Sequence, residues 1–328
     1  MKKRKFAISA LYVSVIFLLV LAMLYSGLQI LEAAVLAPAT VQESPVHSKT
    51  IRRGNIEYFP RQDITTVLVM GIDRYGPVQS SGSYQNQGSA DMDLLLIFDE
   101  AAQVCNVLYL NRDTMLEMPV LGIGGRQAGT AYGQLALAHT YGSGLEDSCE
   151  NTRQTISDFL YGISIDYYVA MNMDAISILN DAVGGVTVEV EDDFSKVDPS
   201  ITKGTVTLLG QQSVNFVRSR WNVGDQLNLS RIQRQKAYIA GFVESFKAKK
   251  DSDPGFMVAA YEEVLPYVVT DCSINAISGM IDRYSGYTFS QVITPEGENV
   301  LGEKYMEFYV DEEALDTLIL RLFYAPKK

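Results

Sequence analysis

The stretch VRSRWNVGDQLNLSRIQRQK, residues 217–236, holds Arg218, Arg220, Arg231, Arg234 and Lys236 against the single Asp225, in a chain of 328 residues with a formal net charge of −12. Five cations on one patch repel one another unless an anion of more than one charge sits among them, and a pyrophosphate meets that need. Arg218 and Arg220 are two apart, so an extended NFVRSR puts both on one face of a strand, while Arg231, Arg234 and Gln235 open the helix that follows.

Carboxylates stand beside the apolar runs. VLVMGIDR (67–74) ends in Asp73 and Arg74, GSADMDLLLIF (88–98) carries Asp91 and Asp93 ahead of a strand, and LNRDTM (110–115) sets Arg112 beside Asp113 after another. Ligands of open α/β sheets bind outside the carboxyl ends of strands. Two carboxylates there can share a hard cation such as Mg²⁺, which keeps water and substrate phosphate in its shell. A guanidinium held by a neighbouring carboxylate suits bidentate phosphate recognition. Each residue alone also reads as a turn former, a surface ion pair or a solvated charge run. The acidic background and the shared strand-end positions favour an anion site.

Other chemistries find little support. His47 and His139 are the only histidines, and no G-x-S-x-G, G-x-x-x-x-G-K-[ST] or G-x-G-x-x-G occurs. Cys105, Cys149 and Cys272 lack C-x-x-C spacing, which argues against zinc. A Cys105–Cys149 disulfide with one thiol left over and three separate buried thiols both fit that count.

The elements that must position these groups read as an α/β sheet. TTVLVMGID, MDLLLIFD and QVCNVLYLNRD are three strands before any long helix; 148–160 predicts an amphipathic helix opened by Ser148, 165–171 a strand, 173–185 a helix and 186–191 a strand. Beyond Leu229 the pattern is mostly helical, with a late strand at 304–310 and a closing helix at 311–323. Alternating strands and helices predict a central sheet flanked by helices on both faces. Ahead of it, residues 36–62 read as a stalk with a short strand near Ile56–Phe59, and no charged residue falls between Lys5 and Glu32. That run is long enough to cross a bilayer, and the preceding Lys2, Lys3, Arg4 and Lys5 keep the N-terminus in the cytoplasm. A cleaved signal peptide ending near Ala37-Pro38-Ala39 is the competing reading, which the length of the apolar run disfavours. Beyond residue 50 there are 22 basic and 37 acidic residues, a formal charge of −15 that repels nucleic acid.

In collinear order, VLVMGIDR, SADMDLLLIF, LNRDTM, QLALAHTYG, GISIDYYVAMNMDAISILNDAVGGVTVEV and FVRSR with LSRIQRQ resemble the LytR-CpsA-Psr family of cell-wall glycopolymer ligases over residues 64–245. The resemblance implies a central mixed sheet and a phosphotransferase on the outer membrane face, moving a glycopolymer from an undecaprenyl-pyrophosphate carrier to peptidoglycan. It implies Mg²⁺ on Asp73 and Asp91, and a pyrophosphate gripped by Arg74, Arg112, Arg218, Arg220, Arg231 and Gln235. The catalytic set is then Asp73, Asp91, Arg112, Arg218 and Arg220, with Asp93 or Asp113 orienting or deprotonating the acceptor. Ser89-Ala90-Asp91 stands where the family often has Arg-Ser-Asp, so one pyrophosphate arginine is absent unless Arg74 or Arg126 substitutes for it. Gln134–His139 likewise departs from a Lys-Ile-Asn-His-Ala-Tyr pattern. The expected organisation is a cytoplasmic tail (1–5), a transmembrane anchor (6–31), an extracellular stalk (32–63) and an extracellular catalytic domain (64–328), helical after 246. A polyprenyl-pyrophosphate hydrolase and a non-catalytic envelope protein binding polyprenyl phosphates or polyanions are the alternatives.

Overall fold

The computed structural model describes residues 50–327 apart from 220, 225–227, 254–255, 274–275, 277–278, 281–282 and 285. The expected tail, the transmembrane helix at 6–31 and the first part of the stalk lie outside the described residues. Among those described, no helix is long and apolar enough to cross a membrane. They form a sheet unit of residues 50–171, 269–272 and 287–327 and a helical unit of residues 172–268 and 273–286.

The sheet unit opens with the hairpin β1 (Ile51–Arg53) and β2 (Ile56–Pro60). Three apolar strands follow, β3 (Ile64–Ile72), β4 (Ala90–Asp99) and β5 (Val104–Leu110), each antiparallel to the next. A separate hairpin, β6 (Met115–Leu121) and β7 (Gln127–Gln134), leads through a 3₁₀ segment, Leu135–Tyr141, to α1 (Glu146–Phe159) and β8 (Tyr167–Asn172). In α1, Ser148 is buried inside the helix, which starts two residues before the predicted cap.

The helical unit holds α2 (Asp174–Ala182), β9 (Val186–Val190), β10 (Gly204–Leu208), α3 (Gln211–Arg218), α4 (Asn228–Ser252) and α5 (Phe256–Val264). Gly184 and Gly185 end α2 at positive φ, and their N–H groups bond back to Asp181 and Asn180 carbonyls, a turn that glycine adopts without strain. β9 forms as its alternation predicts and, among the described residues, pairs with β10 in a separate two-stranded sheet. NFVRSR corrects the expectation, because its first four residues are helical. Ser213, Val214 and Val217 are buried at three-and-four spacing, and the Ser213 hydroxyl donates to the Gly210 carbonyl as the helix starts. Arg218 therefore closes a helix, Ser219 is extended, and Arg220 lies outside the described residues.

Back in the sheet unit come β11 (Val268–Thr270), β12 (Thr288–Ile293), the hairpin β13 (Gly297–Leu301) and β14 (Met306–Val310), α6 (Glu312–Phe323) and β15 (Tyr324–Pro326), which pairs with β2. The Asp311 carboxylate caps α6 by accepting from the N–H groups of Glu313 and Ala314. The central sheet runs β11-β8-β3-β4-β5-β12, with β12 parallel to β5, so it is mixed as expected. One face, with Leu68, Met70, Leu95 and Leu108, packs on Cys149 and Ile156 of α1 and on Leu315, Ile319 and Leu322 of α6. The opposite face carries Val67, Leu96, Phe98 and Val107, which are also buried, as a sheet covered on both sides requires.

That geometry corrects the disulfide expectation. All three cysteines are free and buried. Cys105 pairs with Phe98 across the ladder and so shares its face, whereas Cys149 belongs to the cluster on the other side of the sheet. Burial pushes all three thiols up, Cys272 to about 12.

Candidate active site

The carboxylates gather where β3 and β4 meet their loops. Gly71 pairs with Met92 and Ile72 with Ala90, so Asp91 is the extra residue of a bulge, and both Asp91 and Asp93 lie inside β4 rather than ahead of it. Just beyond β3, the Asp73 N–H donates to the Ser89 carbonyl (2.9 Å), and the Ser89 hydroxyl donates to Asp91 Oδ1 (2.8 Å). Arg112 Nη1 reaches Asp91 Oδ2 at 2.5 Å, and its Nε lies 3.5 Å from Asp113 Oδ1. An Asx turn sets that arginine: the Asp113 N–H donates to Asn111 Oδ1 and the Thr114 hydroxyl to the Asn111 carbonyl. Gln134 Nε2 bonds both Asp113 Oδ1 and the Met306 carbonyl (2.8 Å each). The sheet unit thus brings Asp73, Asp91, Asp93, Arg112 and Asp113 to one sheet end.

The loop behind them was not legible as part of the site. Asn86 Nδ2 reaches the His139 carbonyl (2.7 Å) and the Gly142 carbonyl (3.0 Å), while its Oδ1 accepts from the Gly88 N–H (2.7 Å). His139 Nδ1 lies 2.7 Å from the Gly88 carbonyl, which can only accept, so Nδ1 carries the proton. Burial lowers the imidazole to about 4, leaving it neutral. A Cβ on Gly88 would meet Arg74 Cγ at 2.8 Å and Ile72 Cγ2 at 2.9 Å, so glycine lets the loop close on the Asp73 turn. The Asn-x-Gly spacing in QNQGS was the available signal. Gln134 gave no such local signal.

Asp93 differs from its neighbours. It is 0% exposed, and neither carboxylate oxygen has a hydrogen-bond partner among the described residues. Burial raises its carboxyl well above the usual range, the Asp91 charge adds to this, and the Arg112 charge opposes it.

The arginine segment is organised within the helical unit. Arg218 is exposed at the end of α3, and Arg231 is half-buried in α4. Arg234, read as one of the converging cations, is instead a buried clamp. It donates to the Phe216 carbonyl (3.1 Å), the Ser219 carbonyl and Asp192 Oδ2 (2.5 Å), and lies over the Phe194 ring. Gln235 Nε2 donates to the Val217 carbonyl (3.2 Å). Both side chains satisfy carbonyls that the end of α3 leaves open.

Two aspartates at adjoining strand ends suit Mg²⁺, which takes one or two carboxylates and keeps several waters. Among the described residues no three His, Cys, Asp or Glu side chains form a metal cage. Neither Asp93 oxygen has a donor among the described residues, an orphan that a hydrated cation beside Asp91 would satisfy, so the residues present fit that cation.

The LytR_cpsA_psr family model matches residues 32–322. The chain is 25% identical over 227 residues to the polyisoprenyl-teichoic acid–peptidoglycan teichoic acid transferase TagT of Bacillus subtilis, covering 67% of this chain and 62% of TagT. It is 25% identical over 291 residues to TagU of Oceanobacillus iheyensis, named as the same kind of transferase, covering 85% and 80%. The solved structure of gbs0355 from Streptococcus agalactiae shares the fold, with a TM-score of 0.61 at 21% identity over 79% of this chain and 86% of that one. With most of its length matched by the family model, the chain belongs to the LytR_cpsA_psr family.

Proposed function

We propose that this chain is a membrane-anchored phosphotransferase with its catalytic part outside the cell, moving a glycopolymer from an undecaprenyl-pyrophosphate carrier to peptidoglycan through a phosphodiester. The observation that carries the reading is the Asp91–Arg112 pair, a cation and an anion from neighbouring strand ends fixed by Ser89 and the Asn111 turn. The names of TagT and TagU support the reaction class. The charge-free run between Lys5 and Glu32, behind four basic residues, supports the anchor and its orientation.

In this reaction the acceptor hydroxyl oxygen bonds to the phosphorus that bears the glycopolymer while the bridging P–O bond breaks. Polyprenyl monophosphate leaves with the bonding electron pair. Arg112, held in place before substrate arrives, offsets charge that develops on the phosphoryl oxygens. Asp113, partly exposed and fixed by Gln134, orients the acceptor hydroxyl and receives its proton. Asp73 and Asp91 would hold Mg²⁺, which when bound supplies further charge neutralisation on the pyrophosphate. Arg74, Arg218, Arg220, Arg231 and Gln235 keep the pyrophosphate role that the family resemblance implies.

The test supplies lipid-linked glycopolymer to the full chain with and without peptidoglycan. Polymer joined to peptidoglycan and released polyprenyl phosphate, both dependent on the acceptor, are expected. Equal release without acceptor would mark a hydrolase, and no turnover in either arm a binding protein.

A further inference from the structure

Asp93 occupies a place that packing reserves for an apolar side chain. Across the ladder it faces Met70 on one side and Leu110 on the other, both buried. Two residues further along the same face of β4 comes Leu95, within the apolar cluster. Leucine or methionine would extend that cluster, whereas a carboxyl with no donor opposes folding. An orphan of this kind in a native protein calls for a missing partner. The charged groups that act on it are Asp91 and Arg112, and Arg112 gives its Nη1 contact to Asp91.

We propose that Asp93 is a positioning residue for a divalent cation held at Asp73 and Asp91, its two unpartnered oxygens accepting hydrogen bonds from cation-bound water. The inference rests on the cation part of the function proposed above and adds a residue that the family resemblance does not assign to the metal. Mg²⁺ sheds its waters reluctantly, and those waters are strong donors, which is what the buried carboxyl lacks. Partners of this outer kind typically change metal affinity by about 10–100-fold. The arrangement resembles other functional sites where a locally unfavourable group is retained for what it binds.

The test titrates Mn²⁺ into the full chain, reading free Mn²⁺ by its paramagnetic resonance signal, with Mg²⁺ as competitor and no lipid or acceptor present. Asp73→Asn should abolish uptake. Asp93→Asn and Asp93→Leu should each weaken it by ~10-fold or more, while Asp93→Leu raises the cation-free Tm by roughly 2–6 °C because the orphan is gone. Wild-type affinity in both Asp93 variants, with Asp73→Asn still impaired, overturns the role of Asp93 and leaves the cation reading standing. A wild-type chain that takes up no Mn²⁺ overturns both. Should Asp93→Leu fail to fold, the near-isosteric Asp93→Asn decides alone.

Discussion

The end of the central sheet and the segment around α3 and α4 both concentrate charge, yet they use it differently. At the sheet end, Arg112 is partly exposed and paired to a carboxylate that is itself held by Ser89, so its guanidinium is ready to meet an anion. In the helical unit, Arg234 is almost fully buried and committed to two carbonyls and Asp192, and Arg218, between the two residues whose carbonyls Arg234 holds, is left exposed. Neighbouring arginines in a sequence can thus divide the work, one holding the backbone and another facing solvent. Charge count alone does not tell them apart; burial and acceptor type do.

The division can be broken most forcefully at the clamp. Arg234→Ala leaves Asp192 and the end of α3 without their partner, and loss of one side of a buried pair costs about 3–5 kcal/mol. Its Tm should fall steeply, measured by calorimetry. A Tm near that of the parent would mean that Arg234 belongs with the ligand-facing arginines after all.

Arg112→Ala should show the reverse pattern, lowering transfer by ~10²–10³-fold, the scale of a lost preorganised donor, with little change in Tm. Arg218→Ala and Arg220→Ala should each lower it by ~10²-fold or more. Single-turnover rates beside melting curves separate the two classes. Loss of activity without loss of stability is the signature of a ligand-facing arginine.

A gentler effect sharpens the account of the loop that carries Gly88. His139 is neutral when folded, with its pKa lowered to about 4 against an ordinary 6.5. Between those values the unfolded chain binds the proton and the folded chain does not, so its contribution is complete above pH 6.5 and is lost as pH falls towards 4. The amount is at most about 3 kcal/mol. Comparing Tm from pH 7 to 4.5 in the parent and in His139→Asn isolates it, and the variant should lose less stability on acidification. Parallel curves would remove His139 as a pH-dependent tie to Gly88.

Much of the sheet end could be read before any coordinates. β3, β4 and β5 are unbroken apolar runs between turn residues, so local pattern and tertiary fold agree there. NFVRSR was misread because two arginines two apart imitate strand alternation, whereas the buried residues Ser213, Val214 and Val217 follow helical spacing. β1, β6, β7, β10, β11, β12, β13 and β15 were missed; most are short, and the partners of some are set by tertiary pairing, β12 with β5 and β15 with β2. Asp93 was legible as a candidate but its isolation was not, since that depends on Met70 and Leu110, supplied by other strands. The predicted membrane span lies outside the described residues.

The central claim is that Arg112 and its paired carboxylate meet a pyrophosphate headgroup, and the direct measurement is a density map of the full chain with a polyprenyl pyrophosphate and Mg²⁺. The account predicts diphosphate density against the Arg112 guanidinium, with metal density at Asp73 and Asp91. Density for the headgroup at any other place, with Arg112 still closed on Asp91 alone, would contradict it.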